Sequence, residues 1–230
     1  MNTMCTTSNI TTTYGRKKMN DIDALINGFK EFHTDYIEDR EGVFSGLAEY
    51  GPHSKILMIA CCDSRVDPAI ITNSKAGDLM VVRNMGNLVP TYNQELGFNE
   101  TQAAIEFAVS YLKVNNIIIM GHSRCAGIRS LLTRLVDDAD PILSLDKWMS
   151  IAEPAARTVL KEMAGDDMDD QSCACSRKAL SYSLDNLSQY PSVQEGVQKN
   201  ELSIHGWYFN LANGELESYN REQQIFSSIF

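Results

Sequence analysis

Three short apolar runs constrain this chain more than anything else in it. "KILMIA" (55 to 60), "DLMVVR" (78 to 83) and "NIIIMG" (116 to 121) are nearly continuous, without the polar alternation of a half-buried strand. Runs of this length and kind read as strands covered on both faces, and such strands belong to parallel sheets, whose crossovers lay helices over the faces. Helical patterns stand where those crossovers need them. Asn99 can cap a helix, with Gln102 three residues on, and Ala104, Ile105, Ala108 and Leu112 supply its buried stripe. "AGIRSLLTRL" reads as a helix after Cys125, "DKWMSIAEPAARTVLKEM" as a further one, and Leu180, Leu184 and Leu187 mark one more. The expected class is α/β, with a mainly parallel central sheet flanked by helices. "ELSIHGWYFN", the turn "ANGE" and "LESYN" add a strand, turn and strand, giving a C-terminal antiparallel edge strand. Ile22, Leu25, Ile26, Phe29, Phe32 and Tyr36 fall at three- and four-residue spacings, which predicts an N-terminal amphipathic helical arm over 21 to 36. The acidic "GDDMDD" (165 to 170) reads as a solvated loop.

With 230 residues, 43% of them hydrophobic, the chain can bury one proper core. A single domain over 20 to 230 is expected, with residues 1 to 19 a polar tail outside the fold. That tail lacks the apolar stretch of a secretory signal, and no run of about 18 apolar residues exists to span a membrane. The chain is therefore expected to be cytoplasmic, without a membrane partner. A net charge of -10, relieved only by the short cluster Arg16-Lys17-Lys18, argues against nucleic acid as a partner. Six cysteines without a signal read as metal ligands or buried thiols rather than disulfides.

The chemistry concentrates at strand ends. "IACCDSRVDP" places Cys61, Cys62, Asp63 and Arg65 directly after the first strand, and "GHSRC" places His122 and Cys125 directly after the third. In open parallel sheets, ligands collect outside the carboxyl ends of the strands. Each residue alone is ordinary, since a lone cysteine is more often a small buried apolar side chain. Together, Cys61, His122 and Cys125 form a zinc-favouring set of two thiolates and an imidazole, and the two-residue gap lets His122 and Cys125 reach one ion from a single turn. A fourth position stays unassigned, with Cys62 and Asp63 as candidates. Cys62 is the poorer one, because its side chain points away from its neighbour's and is expected to face the packed side. Asp63 lies on Cys61's side, but Arg65 is placed for a bidentate pair that would hold it off the metal.

These residues carry a resemblance. The sequence resembles the β-class carbonic anhydrases in "ACCDSRVDP", "RNMGNLVP" and "GHSRCAGI", in the family's order, with further likeness in "AAIEFAV" and "LSIHGWYFNLANGEL". The resemblance implies a zinc enzyme that reversibly hydrates carbon dioxide to bicarbonate and a proton, with Cys61, His122 and Cys125 on the metal and Asp63 and Arg65 as the catalytic dyad. It also implies a homodimer, or a tetramer of dimers, with the N-terminal helices embracing the partner.

Departures from the family pattern bear on rate and substrate. Pro52 stands where relatives usually carry a glutamine that can hydrogen-bond substrate, with His53 beside it as a substitute donor. Met80 and Phe107 stand where plant-type relatives commonly show Phe and Tyr, and Ala126 replaces a glycine. Met58 takes the place of the Trp used by a branch with a bicarbonate-binding regulatory pocket, so an open site is expected. Two other readings remain at this level: hydrolysis of carbonyl sulfide or carbon disulfide on the same site, and a non-catalytic zinc scaffold or thiol sensor using Cys62 and the Cys173/Cys175 pair.

Overall fold

The structure is a computed structural model that describes residues 21–38, 43–51, 54–93, 99–137 and 143–229. These fall into two compact units, residues 21–51 and residues 54–229. Pro52 and His53 lie outside the described residues, as does the side chain of Tyr36.

The smaller unit holds helix α1 (Asp21–His33), a wider π-helical turn over Thr34–Glu38 and helix α2 (Val43–Tyr50). Asp21 and Asp23 stand in the first turn of α1, and Lys30 and His33 in its last, so charge complements the helix dipole at both ends. The apolar stripe forms as its spacing predicts, yet none of α1 is buried in this chain: Leu25 is 72% exposed and Phe29 61%.

The larger unit is built on a six-stranded sheet of order β2-β1-β3-β4-β5-β6. Strands β1 (Ile56–Cys61), β2 (Leu79–Asn84), β3 (Asn116–His122) and β4 (Ser203–Phe209) pair in parallel, and β5 (Leu216–Asn220) and β6 (Ile225–Ser228) continue antiparallel. Helices α3 (Pro68–Thr72), α4 (Glu100–Glu106), α5 (Ala126–Asp137), α6 (Leu143–Met149), α7 (Glu153–Glu162), α8 (Met168–Leu187) and α9 (Pro191–Gln198) complete it. The mixed, mostly parallel sheet flanked by helices is the expected class.

The central strands are covered on both faces for the reason their sequences give. Leu57 and Ile59 of β1 join Ile117 and Ile119 of β3 in a core closed by Leu180, Leu184 and Leu187 of α8. The alternate residues Met58, Ala60, Ile118 and Met120 form a separate buried cluster. Gly206 of β4 permits the close approach of α8, because a Cβ there would sit 2.7 Å from methyls of Leu180 and Leu184. Burial of these side chains at roughly 25 cal/mol per Å² is what holds the layers together.

Several boundaries differ from expectation. β2 is apolar but lies at the sheet edge, so only Val82 in it is buried. The stretch from Asp146 to Met163 is not one helix: α6 ends at Met149, a 3-10 turn spans Ser150–Ala152, and Pro154 sits in the first turn of a new helix, where its missing N–H costs nothing. "GDDMDD" is not wholly loop either. Asp167 caps α8 by accepting from the Asp169 N–H, and Asp169 and Asp170 fill the first turn, where acidic groups favour a helix start. Asn99 caps α4 as predicted, accepting from the Gln102 N–H at 3.0 Å. That helix continues as a π-helical stretch, Phe107–Leu112. The last hairpin carries one more strand than expected, so β6 rather than β5 forms the edge.

Candidate metal centre

The parallel pairing of β1 and β3 brings their carboxyl ends side by side, with Ala60 opposite Met120. Cys61 is the last residue of β1 and His122 the last of β3. Beyond His122 the chain turns within three residues: the Ser123 N–H donates to the Phe209 carbonyl of β4 at 3.0 Å, and Arg124 takes a left-handed φ of 54°. That conformation costs a non-glycine residue about 1 kcal/mol, and it aims Cys125 back toward β1. Cys125 then heads α5, its carbonyl accepting from the Arg129 N–H at 2.9 Å.

The three side chains meet. The Cys61 and Cys125 sulphurs are 3.8 Å apart, and ligand atoms from Cys61, His122 and Cys125 all lie within 4.8 Å of one another. Each residue is 1% exposed. The His122 Nδ1 faces the Ser123 carbonyl at 2.9 Å, which fixes the tautomer with the proton on Nδ1 and a lone pair on Nε2. That Nε2 is buried without a partner. An unanswered buried acceptor costs about 1–3 kcal/mol.

The sulphurs tell the same story. A hydrogen bond from Cys125, opposed by burial and aided by His122, lowers the Cys61 thiol from its usual range. Cys125 moves the other way, pushed up by Cys61 and by burial against the help of the Ile128 and Gly127 N–H groups. Each sulphur opposes the ionisation of the other, and two thiolates at 3.8 Å need a cation between them. Two sulphurs and an imidazole nitrogen are the donors that zinc takes, so the residues fit the metal.

Asp63 and Arg65 stand on the loop that leaves Cys61. Arg65 Nε donates to Asp63 Oδ1 at 2.9 Å and Nη2 to Oδ2 at 2.7 Å, the expected bidentate pair. The Arg65 N–H also donates to Oδ1 at 3.0 Å, and Nη2 reaches the Arg124 carbonyl at 3.0 Å, tying the two site loops together. The guanidinium holds the Asp63 carboxyl well below the usual range, so it is an anion at any working pH. The Asp63 N–H points at the Cys61 sulphur, which places the dyad beside the triad.

Other expected positions fall out differently. Cys62 does not face the packed side; it is exposed. β1 ends at Cys61, and past that residue strand alternation no longer aims a side chain into a layer. Cys173 and Cys175 are buried in α8, far along the chain from the triad and outside the metal-ligand group. Met80 packs against the core around Leu57, while Phe107 is 43% exposed and stacks on Tyr111 at 5.0 Å between ring centroids. Neither belongs to the cluster that holds Cys61 and Cys125. Met58 is fully buried and Ala126 exposed.

Two residues at the site went unassigned in the sequence. Arg83 of β2 donates to the carbonyls of Cys61 and Asp63 and pairs with Asp67, and Asp67 caps α3. The Asp67-Pro68 step is a recognisable helix start, but the reach of Arg83 depends on β2 lying next to β1.

Comparison with known proteins is consistent with this geometry. The family described as carbonic anhydrase matches residues 56–216. A carbonic anhydrase of Synechocystis sp. is 35% identical over 199 residues, covering 85% of this chain and 70% of the relative. Beta carbonic anhydrase 3 of Arabidopsis thaliana is 33% identical over 202 residues, covering 87% and 77%. Among solved structures, the beta-carbonic anhydrase CcaA aligns with a TM-score of 0.84 at 32% identity, over 92% of this chain and 93% of that one. A structure from the work on two tetrameric beta-carbonic anhydrases of Sordaria macrospora aligns with a TM-score of 0.76 at 25% identity, over 87% and 97%.

Proposed function

The chain belongs to the carbonic anhydrase family, β class, and we propose that Cys61, His122 and Cys125 hold its zinc while Asp63 and Arg65 form its catalytic dyad. It is a zinc lyase that interconverts carbon dioxide and bicarbonate, releasing a proton on hydration. The observation that carries the ligand assignment is the buried Nε2 of His122, without a partner among the described residues, on a ring with a nitrogen within 4.8 Å of two sulphurs. When bound, zinc supplies Lewis acidity that brings the ionisation of water from a pKa of ~16 toward neutrality.

The remaining work falls to the chain. Ser123 holds the His122 ring so that Nε2 keeps its lone pair. Arg65 keeps Asp63 ionised, so the carboxylate can only accept a hydrogen bond. By accepting from the nucleophile's O–H, Asp63 turns the oxygen lone pair toward the carbon of the substrate, which is catalysis by orientation. A bidentate pair on one short loop suits that task, because it fixes both carboxylate oxygens at once. A scaffold or thiol sensor has no use for it.

We place the enzyme in the cytoplasm, a reducing compartment that keeps both metal-binding thiols available. Among the described residues no helix is long and apolar enough to cross a membrane. A homodimer or a tetramer of dimers is part of the same reading, supported by the uncovered apolar face of α1 and by the tetramers named for Sordaria macrospora. The deciding experiment is stopped-flow hydration of carbon dioxide by the zinc-loaded protein, run beside carbonyl sulfide hydrolysis. Faster turnover of carbon dioxide is expected. Preference for carbonyl sulfide would change the substrate, and no turnover of either would return the chain to a scaffold.

A further inference from the structure

We propose that Arg83 is a positioning residue for the Asp63–Arg65 dyad, clamping from the sheet edge the main chain on which the acting carboxylate stands. The inference rests on the role given to Asp63 above. Arg83 lies on β2 opposite Ala60 of β1. Its guanidinium directs all three nitrogens at one loop: Nε donates to the Cys61 carbonyl at 3.0 Å, Nη2 to the Asp63 carbonyl at 2.6 Å, and Nη1 to Asp67 Oδ2 at 2.8 Å. Asp67 is itself anchored, its Oδ1 accepting from the Ala69 and Ile70 N–H groups at 3.0 and 3.3 Å at the start of α3. One planar cation therefore fixes the segment 61 to 67 at both ends and in its middle.

Packing holds that segment at Cys61 and Val66, each 1% exposed, but not over the residues between them. Cys62, Ser64 and Arg65 are exposed, so packing does not set their positions. Its main-chain bonds include Cys62 N–H to the Asn84 carbonyl at 2.9 Å, Val66 N–H to the Asp63 carbonyl at 3.2 Å and Arg65 N–H to Asp63 Oδ1 at 3.0 Å. Between those packed residues the main chain at Cys62 to Arg65 is ordered by its hydrogen bonds, and it opens locally when they are lost. Arg83 reaches Asp63 through the main chain, so it acts through another residue and is not catalytic. Geometry explains the choice of arginine: a rigid fork can serve two carbonyls and a carboxylate in one plane, whereas a lysine ammonium cannot.

The test uses zinc-loaded Arg83→Met and Arg83→Lys, each alone and combined with Asp63→Asn. Three quantities are read: zinc content, kcat/KM for carbon dioxide hydration, and hydrogen exchange of the Arg65 amide. That amide donates to Asp63 Oδ1, so its exchange reports whether the carboxylate has stayed in place. With Arg83→Met, zinc content stays full, kcat/KM falls between about 10- and 100-fold, as a misplacement near 1 Å does, and the Arg65 amide exchanges faster. Arg83→Lys falls between it and the parent. In the Asp63→Asn background, neither change lowers activity further.

Loss of zinc would overturn the proposal by making Arg83 a support for Cys61. An equal further loss on top of Asp63→Asn would make it a support for the whole fold, and unchanged activity and exchange would leave it no role. Should Arg83→Met fail to fold, Arg83→Lys decides by the same readouts. Full activity of Asp63→Asn alone would remove the dyad instead, and would do so whatever Arg83 does to the exchange of the Arg65 amide.

Discussion

The buried triad and the half-open dyad sit a few residues apart and obey opposite rules. Cys61, His122 and Cys125 are each 1% exposed, on the ends of two central strands and the first turn of α5. Arg65 has a side chain 49% exposed and Asp63 one 11% exposed, on a loop stretch between the packed residues Cys61 and Val66. The triad is set by the sheet, so its geometry comes with the fold. The dyad is set by hydrogen bonds that have to be made locally, and with the Arg65 end half open to solvent its ion pair adds little stability. What the pair contributes is direction. On the proposed assignment the site separates holding a metal from aiming a nucleophile, and the two should fail separately.

The largest expected effect breaks the triad. Cys61→Ser replaces a thiol whose partners favour the thiolate with a hydroxyl that stays protonated, so bound zinc should fall to near zero and hydration with it. Metal analysis of the purified protein checks this. Full zinc content in Cys61→Ser would remove Cys61 from the ligand set, and full zinc content with wild-type activity in His122→Ala would remove His122.

A smaller effect, confined to the rate, should follow from breaking the dyad. Asp63→Asn keeps the shape but gives up the charge that Arg65 grips, and its amide can offer the nucleophile a donor where an acceptor is needed. Zinc content should stay at the parent level while kcat/KM drops about 100-fold. Loss of metal in this variant would erase the distinction between the two regions. Near-normal activity would make Asp63 a turn-stabilising residue only.

The smallest effect sharpens the contrast with the remaining cysteines. Cys173 and Cys175 are as sheltered as the triad, 6% and 0% exposed, yet the Cys175 thiol is pushed up to about 12 by burial alone. It stays neutral and behaves as a small apolar side chain. Changing both to Ser should leave zinc and activity unchanged and cost on the order of 1 kcal/mol in stability, from burying hydroxyls in an apolar helix interface. Thermal melts and metal analysis on the same sample check it.

How much of this was legible in the sequence differs between the regions. The triad was readable because strand ends can be found from apolar runs, and parallel pairing aligns those ends without any further information. The bidentate pair of Asp63 and Arg65 was readable too, since it spans two residues. The direction of Cys62 was not. Alternation predicts a side chain only while the strand lasts, and β1 stops at Cys61.

By itself, the sequence determined the elements that local pattern controls: the buried strands, the caps at Asn99 and α8's leucine stripe, and the residues that stand at the strand ends. Tertiary structure alone decided the order of the strands and everything that follows from it. Placing β2 at the edge beside β1 leaves most of an apolar strand unburied, and it also brings Arg83 within reach of a loop about twenty residues earlier in the chain. The proline at 154 splits a helix that periodicity would have continued, and β6 extends the sheet from a stretch with no strong alternation. The physical reason is common to all of these. Periodicity says which face of an element is apolar, but the neighbour that covers that face, or leaves it open, is settled only when distant segments compete to pack against one another.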